Sequence, residues 1–270
     1  MMRAVWVAGA CVALVNCSSP EEMGEAVGLD DSDIELTVSS TADPRAVNFE
    51  DSAERDGGTR DFTYAWPAEV SAIPDLAALL EQRREAALAE QKADWEEALA
   101  EFAGEECTSC KSRGYIKGWE VTADTPRFLS LKGEASLYAG GAHPNSAFDA
   151  LVWDRKAGRA LAPLNLFTSP EALWQAVRTP YCEGLLVLQE ERRGEYFVPP
   201  EDPLAECPSL DDLVLVPASN GGASVDELRL LAAPYIAGAY AEGPYMVRLP
   251  VTDALLAAVK EDYRGAFAAP

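Results

Sequence analysis

Apolar and polar residues alternate from Phe128 to Tyr138 (FLSLKGEASLY), the period-2 pattern of a strand with two different faces. The run breaks at Gly140-Gly141, crosses Ala142-His143-Pro144-Asn145 and resumes from Ala147 to Asp154. Lys156-Ala157-Gly158 is a second turn signal, and Leu161 to Phe167 leads into a helix start. This stretch predicts a β-meander with a glycine-rich tip. Most of what surrounds it has to cover the apolar faces of that meander.

Upstream, Phe62 to Trp66 is a short strand candidate. Ile73-Pro74-Asp75 then opens a helix, with proline in the first turn where its missing N–H costs nothing. Leu76, Leu80, Ala87, Leu88, Trp95, Leu99 and Phe102 recur at three- and four-residue steps and form one stripe along about 28 residues. Glu81, Arg84, Glu90, Lys92 and Glu96 take the other side, and Gly104 ends the helix. Gly114 to Thr122 reads as a further strand.

Downstream, Thr168-Ser169-Pro170-Glu171 matches a capping box with Thr168 as the cap. The helix it opens is expected to kink or break at Pro180, with a second segment from Tyr181 to Arg192. Strands follow at Leu213–Pro217 and Leu228–Ala232, joined by a turn at Asn220-Gly221-Gly222, and at Met246–Pro250. Thr252 caps a last helix from Asp253 to Tyr263. The pattern predicts an α+β fold, an antiparallel β-sheet with helices packed on it. Residues 61–270 form one unit, with halves at about 61–165 and 166–270.

The first sixteen residues read as a targeting segment: Arg3, then an apolar run from Ala4 to Val15 too short to anchor stably across a bilayer. Leu14-Val15-Asn16-Cys17 resembles the end of a bacterial lipoprotein signal, so Cys17 is the expected lipidation site. Residues 17–60 are expected to be a disordered tether. From Ser18 to Arg60 there are twelve acidic and three basic residues, a net of −9, with few aromatics. The expected location is the periplasmic side of the envelope, lipid-anchored, at the outer membrane.

The formal charge of −23 repels phosphate backbones, so nucleic acid is excluded as a partner and a cationic one is favoured. Cys107, Cys110, Cys182 and Cys207 remain after the signal, an even number in an oxidising compartment. Four cysteines allow three pairings. Closeness in sequence favours Cys107–Cys110, which leaves Cys182–Cys207 by elimination. A Cys₄ zinc site is the metal alternative, but Cys182 and Cys207 are not the second CxxC that a zinc ribbon needs. A thioredoxin-like site is the weaker redox alternative, because Cys107 precedes a strand pattern rather than opening a helix after one.

Two stretches carry a family resemblance. One is Leu137 to Asn145 (LYAGGAHPN), followed by Asp154 to Gly158 and Leu164 to Phe167. The other is Pro234-Tyr235 to Glu242-Gly243, followed by Val247 to Pro250. Together they resemble the extracytoplasmic domain of unknown function of RsiV-type anti-sigma factors, which sense lysozyme, and the N-terminal region of PdaC-type peptidoglycan deacetylases. The resemblance implies an α+β fold facing the cell wall and a peptidoglycan or lysozyme-like partner. The deacetylase's catalytic domain has no counterpart here.

No catalytic constellation is visible. His143 is the single histidine, too few for an Asp and two His around one metal, and no Gly-x-Ser-x-Gly elbow occurs. No metal or cofactor is expected. The candidate ligand-binding residues are Tyr138, Gly140, Gly141, His143, Asn145, Tyr235, Tyr240 and Glu242, with Tyr245 a further groove candidate, since tyrosine offers a flat face and a hydroxyl. The expectation is a non-enzymatic, lipid-anchored envelope protein. The alternatives are an envelope enzyme acting on wall glycans through paired carboxylates and a purely structural lipoprotein.

Overall fold

The computed structural model describes residues 45–270. The expected signal segment, Cys17 and the expected tether up to residue 44 lie outside the described residues. Strand β1 (Val47–Arg55) pairs antiparallel with β2 (Gly58–Trp66) across an Asp56-Gly57 turn. Both turn residues have positive φ, 51° and 78°, the conformation that a two-residue hairpin with Asp-Gly demands.

This hairpin corrects the tether boundary: the chain is already strand at Val47, not disordered to 60. A count of charges hides the alternation. Val47 and Phe49 pack against the core, while Asp51 is ion-paired to Arg60, which is 3% exposed. A buried, paired arginine belongs to a fold rather than a tether.

A short helix α1 (Ala68–Ser71) leads to α2 (Pro74–Glu101), and α3 (Thr108–Lys111) follows. Leu76, Leu80, Trp95, Ala98 and Leu99 are the buried apolar stripe of α2. Strand β3 (Arg113–Asp124) then runs parallel to β2, since α2 carries the chain back over the sheet. Next come β4 (Phe128–Tyr138), β5 (Asn145–Asp154) and the short β6 (Arg159–Leu161). The sheet order is β1-β2-β3-β4-β5-β6. The α+β class holds, but this sheet is mixed rather than purely antiparallel.

Helix α4 (Pro170–Arg193) is capped by Ser169, whose hydroxyl accepts from the Ala172 N–H at 3.1 Å. The cap is one residue later than expected, because the Thr168 hydroxyl donates instead to the Ala258 carbonyl. Pro180 neither ends nor splits α4. Leu173, Val177, Tyr181 and Leu185 stay on one buried face, and that packing outweighs the lost backbone bond.

Strands β7 (Val214–Ala218), β8 (Glu227–Ala232) and β9 (Tyr245–Pro250) form a second, antiparallel sheet where a single sheet was expected. The last predicted helix is two, α5 (Asp253–Ala258) and α6 (Glu261–Arg264). Val259, fully buried between them, is extended and bridges to Phe167. Thr252 does cap α5, accepting from the Leu255 N–H.

The large sheet serves two cores. Leu129, Leu131, Leu151 and Trp153 face α2, while their neighbours Phe128 and Val152 face α4 and the small sheet. Strand alternation sends adjacent residues to opposite cores. The core against α2 is built from the first half alone, while Phe128, Val152 and Leu161 of that half also complete the core of the second, and Asp43–Pro270 is one compact unit. Cys107–Cys110 and Cys182–Cys207 are both disulfides.

Candidate binding surface at the glycine-rich tip

The β4–β5 hairpin ends in residues 139–144, the tip foreseen in the sequence. Gly140 and Gly141 have φ of 88° and 98°, which glycine adopts without the Cβ penalty. Gly140 also lies so close to α3 that a Cβ there would stand 3.1 Å from the Ser109 carbonyl. The Tyr138 hydroxyl donates to the Gly141 carbonyl at 3.0 Å and closes the tip on itself. Asn145 is exposed and opens β5 opposite Leu137.

The second segment is the loop between β8 and β9, residues 233–244. Its Tyr240 hydroxyl donates to the Pro144 carbonyl at 2.8 Å, across 96 residues. The His143 ring lies on the Tyr240 ring, centroids 3.8 Å apart and planes 20° from parallel. Nδ1 of His143 is 3.0 Å from the same Pro144 carbonyl, so that nitrogen carries the proton. Tyr235 stands 5.6 Å from Tyr240, is 62% exposed and has φ of 74°. A bulky residue in that backbone region is an outlier, and such strain persists only where the surroundings enforce it.

The surroundings here are a clamp on Glu242. Its carboxylate accepts from the Ala239 N–H (3.0 Å), from Arg193 Nε (2.8 Å) and from the Tyr245 hydroxyl. Arg192 donates to the Glu242 carbonyl, and Gln189 to that of Ala237 at 2.6 Å. Partial burial pushes the Glu242 carboxyl up, but the Tyr245 hydroxyl, the Ala239 N–H and Arg193 outweigh it and hold it below the ordinary carboxylate value. Burial, then the neighbouring carboxylate, raises Tyr245. Glu242 is therefore engaged inside the loop, and Tyr245, 1% exposed, is core rather than groove lining.

Tyr138, Gly140, Gly141, His143, Tyr235 and Tyr240 thus come together from two distant segments. The structure adds Pro144, whose carbonyl joins them, and Ile236, 40% exposed beside Tyr235. It also adds Gln189, Arg192 and Arg193, the last turns of α4 that fix the loop. Two adjacent arginines ending a helix were readable in the sequence; their partners some fifty residues away were not.

Among the described residues no carboxylate, hydroxyl nucleophile or thiol hydrogen-bonds His143, and no group of three metal-ligating side chains occurs. One concavity adjoins the clamp, sharing Gln189, Arg193, Ile236 and Ala237 with it, and another lies apart from the tip. The first, of about 250 Å³, sits between α4 and the loop before Cys207, and includes Leu185, Val198, Pro203 and Ile236 in its wall. The second, of about 200 Å³, lies between β5 and β7. The tip itself is an exposed aromatic shelf suited to stacking and hydrogen bonding.

These features define an α+β domain that presents an aromatic tip above a mixed sheet. Its fold is that of solved DUF3298 family proteins, a domain of unknown function. One, from Bacteroides fragilis, has TM-score 0.50 and 16% identity, covering 82% of this chain and 95% of its own. Another, from Pseudomonas aeruginosa, has TM-score 0.50 and 13% identity, covering 80% of this chain and 94% of its own. At these identities the likeness concerns the fold. No known family profile and no curated protein matches the sequence. Among the described residues, no helix is long and apolar enough to cross a membrane.

Proposed function

We propose that this chain is a non-enzymatic recognition domain of the bacterial envelope, anchored by lipid at Cys17, that binds a wall-associated partner through the tip. The partner is peptidoglycan or a cationic lysozyme-like protein. The observation that carries the reading is the His143–Tyr240–Tyr235 shelf, assembled from two segments and held by the Glu242 clamp. Exposed tyrosine faces suit sugar rings and apolar side chains alike. The charge of −23 attracts a cation over roughly 8 Å in physiological salt. The sequence resemblance to lysozyme-sensing ectodomains points the same way.

The test is titration of the soluble domain, residues 43–270, against purified sacculi and against lysozyme, with Tyr240→Ala and Tyr235→Ala alongside. Saturable binding to one of them is expected, weakened roughly tenfold or more by each substitution, as loss of an aromatic contact worth about 1.5 kcal/mol would do. Absence of saturable binding to both at low salt removes both partners. Equal binding by the variants moves the site away from the tip.

A further inference from the structure

The Cys107–Cys110 disulfide lies directly under the tip. Cys107 precedes α3 and Cys110 lies within it. Cys107 thus does open a helical turn, but one that follows α2 and leads into β3, unlike the strand-then-helix setting of thioredoxin-like sites. Both cysteines are partly exposed, and Glu105, Glu106, Thr108 and Ser109 around them are exposed. In the other disulfide one partner is sheltered: Cys182 is 1% exposed and belongs to the core, while Cys207 is half-buried against it. The crosslink at 107–110 encloses only two intervening residues, against a 25-residue separation at 182–207, so chain entropy protects it less.

The same segment supports the tip. Cys110 Cα and the Ser109 carbonyl stand 3.7 and 3.1 Å from where a Gly140 Cβ would be. Arg113 ties the segment down, donating to the Cys110 carbonyl at 3.0 Å and to Asp94 of α2 at 2.6 Å. Tyr138 lies opposite Gly114, the residue after Arg113.

We infer that Cys107–Cys110 is a thiol–disulfide exchange site whose redox state sets the order of the aromatic tip, with a protein dithiol as the reductant. A reductant thiolate attacks the Cys110 sulfur, the Cys107–Cys110 bond breaks, and Cys107 leaves as a thiolate. The Cys110 N–H, 3.3 Å from Cys107 Sγ, and the Ser109 hydroxyl at 3.6 Å stabilise that leaving group. The reductant's second thiol then attacks the mixed disulfide and frees Cys110. Two electrons and two protons pass to this chain, and the reductant ends as a disulfide. The ring that braces residues 107–110 against Gly140 is then open, and residues 139–145 gain freedom.

The experiment titrates the oxidised protein with dithiothreitol, alkylates free thiols and maps them by mass spectrometry, with amide exchange measured on the same samples. Cys107 and Cys110 should be alkylated at roughly tenfold lower reductant than Cys182 and Cys207. Exchange across residues 139–145 should rise roughly tenfold at that point while the strands stay protected. Cys107→Ser/Cys110→Ser should show the fast exchange without reductant. The inference is overturned if 107–110 opens only together with 182–207, or if it opens first and exchange at the tip changes less than about twofold. Neither readout contains a ligand, so the outcome is independent of what the tip binds.

Discussion

Replacing Glu242 by glutamine tests whether the tyrosine loop is held in place or merely rests there. The substitution keeps the volume and one oxygen, which can still accept from the Ala239 N–H. It removes the negative charge that faces Arg193 and supplies an amide where the Tyr245 hydroxyl needs an acceptor. Hydrogen bonds to a charged group are worth about 1.5–3 kcal/mol each. The Arg193 side chain is 28% exposed and that of Glu242 20%, so solvent takes part of this, and about 2 kcal/mol is the expected cost. At a urea m-value of roughly 2–3 kcal/mol/M, the midpoint should fall by about 0.7–1 M.

The pH dependence follows from the lowered carboxyl of Glu242. A carboxyl depressed on folding contributes stability that is fully present above its unfolded value, about 4.3, and is lost as pH falls through the lower folded value. The gap between wild type and Glu242→Gln should therefore be full at pH 7 and shrink toward pH 3. Urea melts at both pH values, with near-ultraviolet circular dichroism reporting the tyrosines, provide the assay. A cost under about 0.5 kcal/mol at pH 7, or a gap that does not narrow in acid, would refute the clamp.

Asp154, 1% exposed, receives Arg127 through two bonds of 2.8 Å and the N–H groups of Lys156 and Ala157. Burial pushes its carboxyl up, yet these donors hold it below the ordinary value. Asp154→Asn should cost about 3 kcal/mol at pH 7 in a urea melt and markedly less near pH 3, by the same sign. Pro180 is exposed inside a continuous helix, so Pro180→Ala should restore a backbone bond and stabilise by about 1–3 kcal/mol. A thermal melt that shows no gain would mean that α4 has adapted to the proline. Gly140→Ala, which adds a methyl group 3.1 Å from the Ser109 carbonyl at positive φ, should cost about 1–2 kcal/mol and raise amide exchange at the tip.

What was legible in the chain was local. Alternation fixed β4 from Phe128 to Tyr138, and a proline at the first turn with a three-and-four stripe fixed α2. Where a local rule met a long-range partner, the partner prevailed. Pro180 should break α4, but Tyr181 and Leu185 continue its buried face. Val259 should continue a helix, but Phe167 draws it into a bridge. Acidic residues before 60 suggest a tether, but Asp51 is paired with the buried Arg60, and Asp56-Gly57 makes the turn of a hairpin.

The tip follows the same division. Its glycines and tyrosines were visible as two separate motifs, because each motif is short and compositionally odd. Their meeting was not visible, since it depends on a single hydroxyl reaching the Pro144 carbonyl over 96 residues and on a helix end that pins the intervening loop. Glu242 illustrates the consequence. In sequence it is one acid among 45 and indistinguishable from a ligand contact. In three dimensions three donors from three places converge on it, which leaves it little capacity for a partner. Tyr240 shows the converse: its hydroxyl is engaged with the tip and His143 lies on its half-buried ring, so its remaining capacity for a ligand lies in the part of the ring that His143 leaves uncovered. Recognition at this site should then be governed by shape and stacking, and mutations of the ring should outweigh Tyr240→Phe in any binding assay.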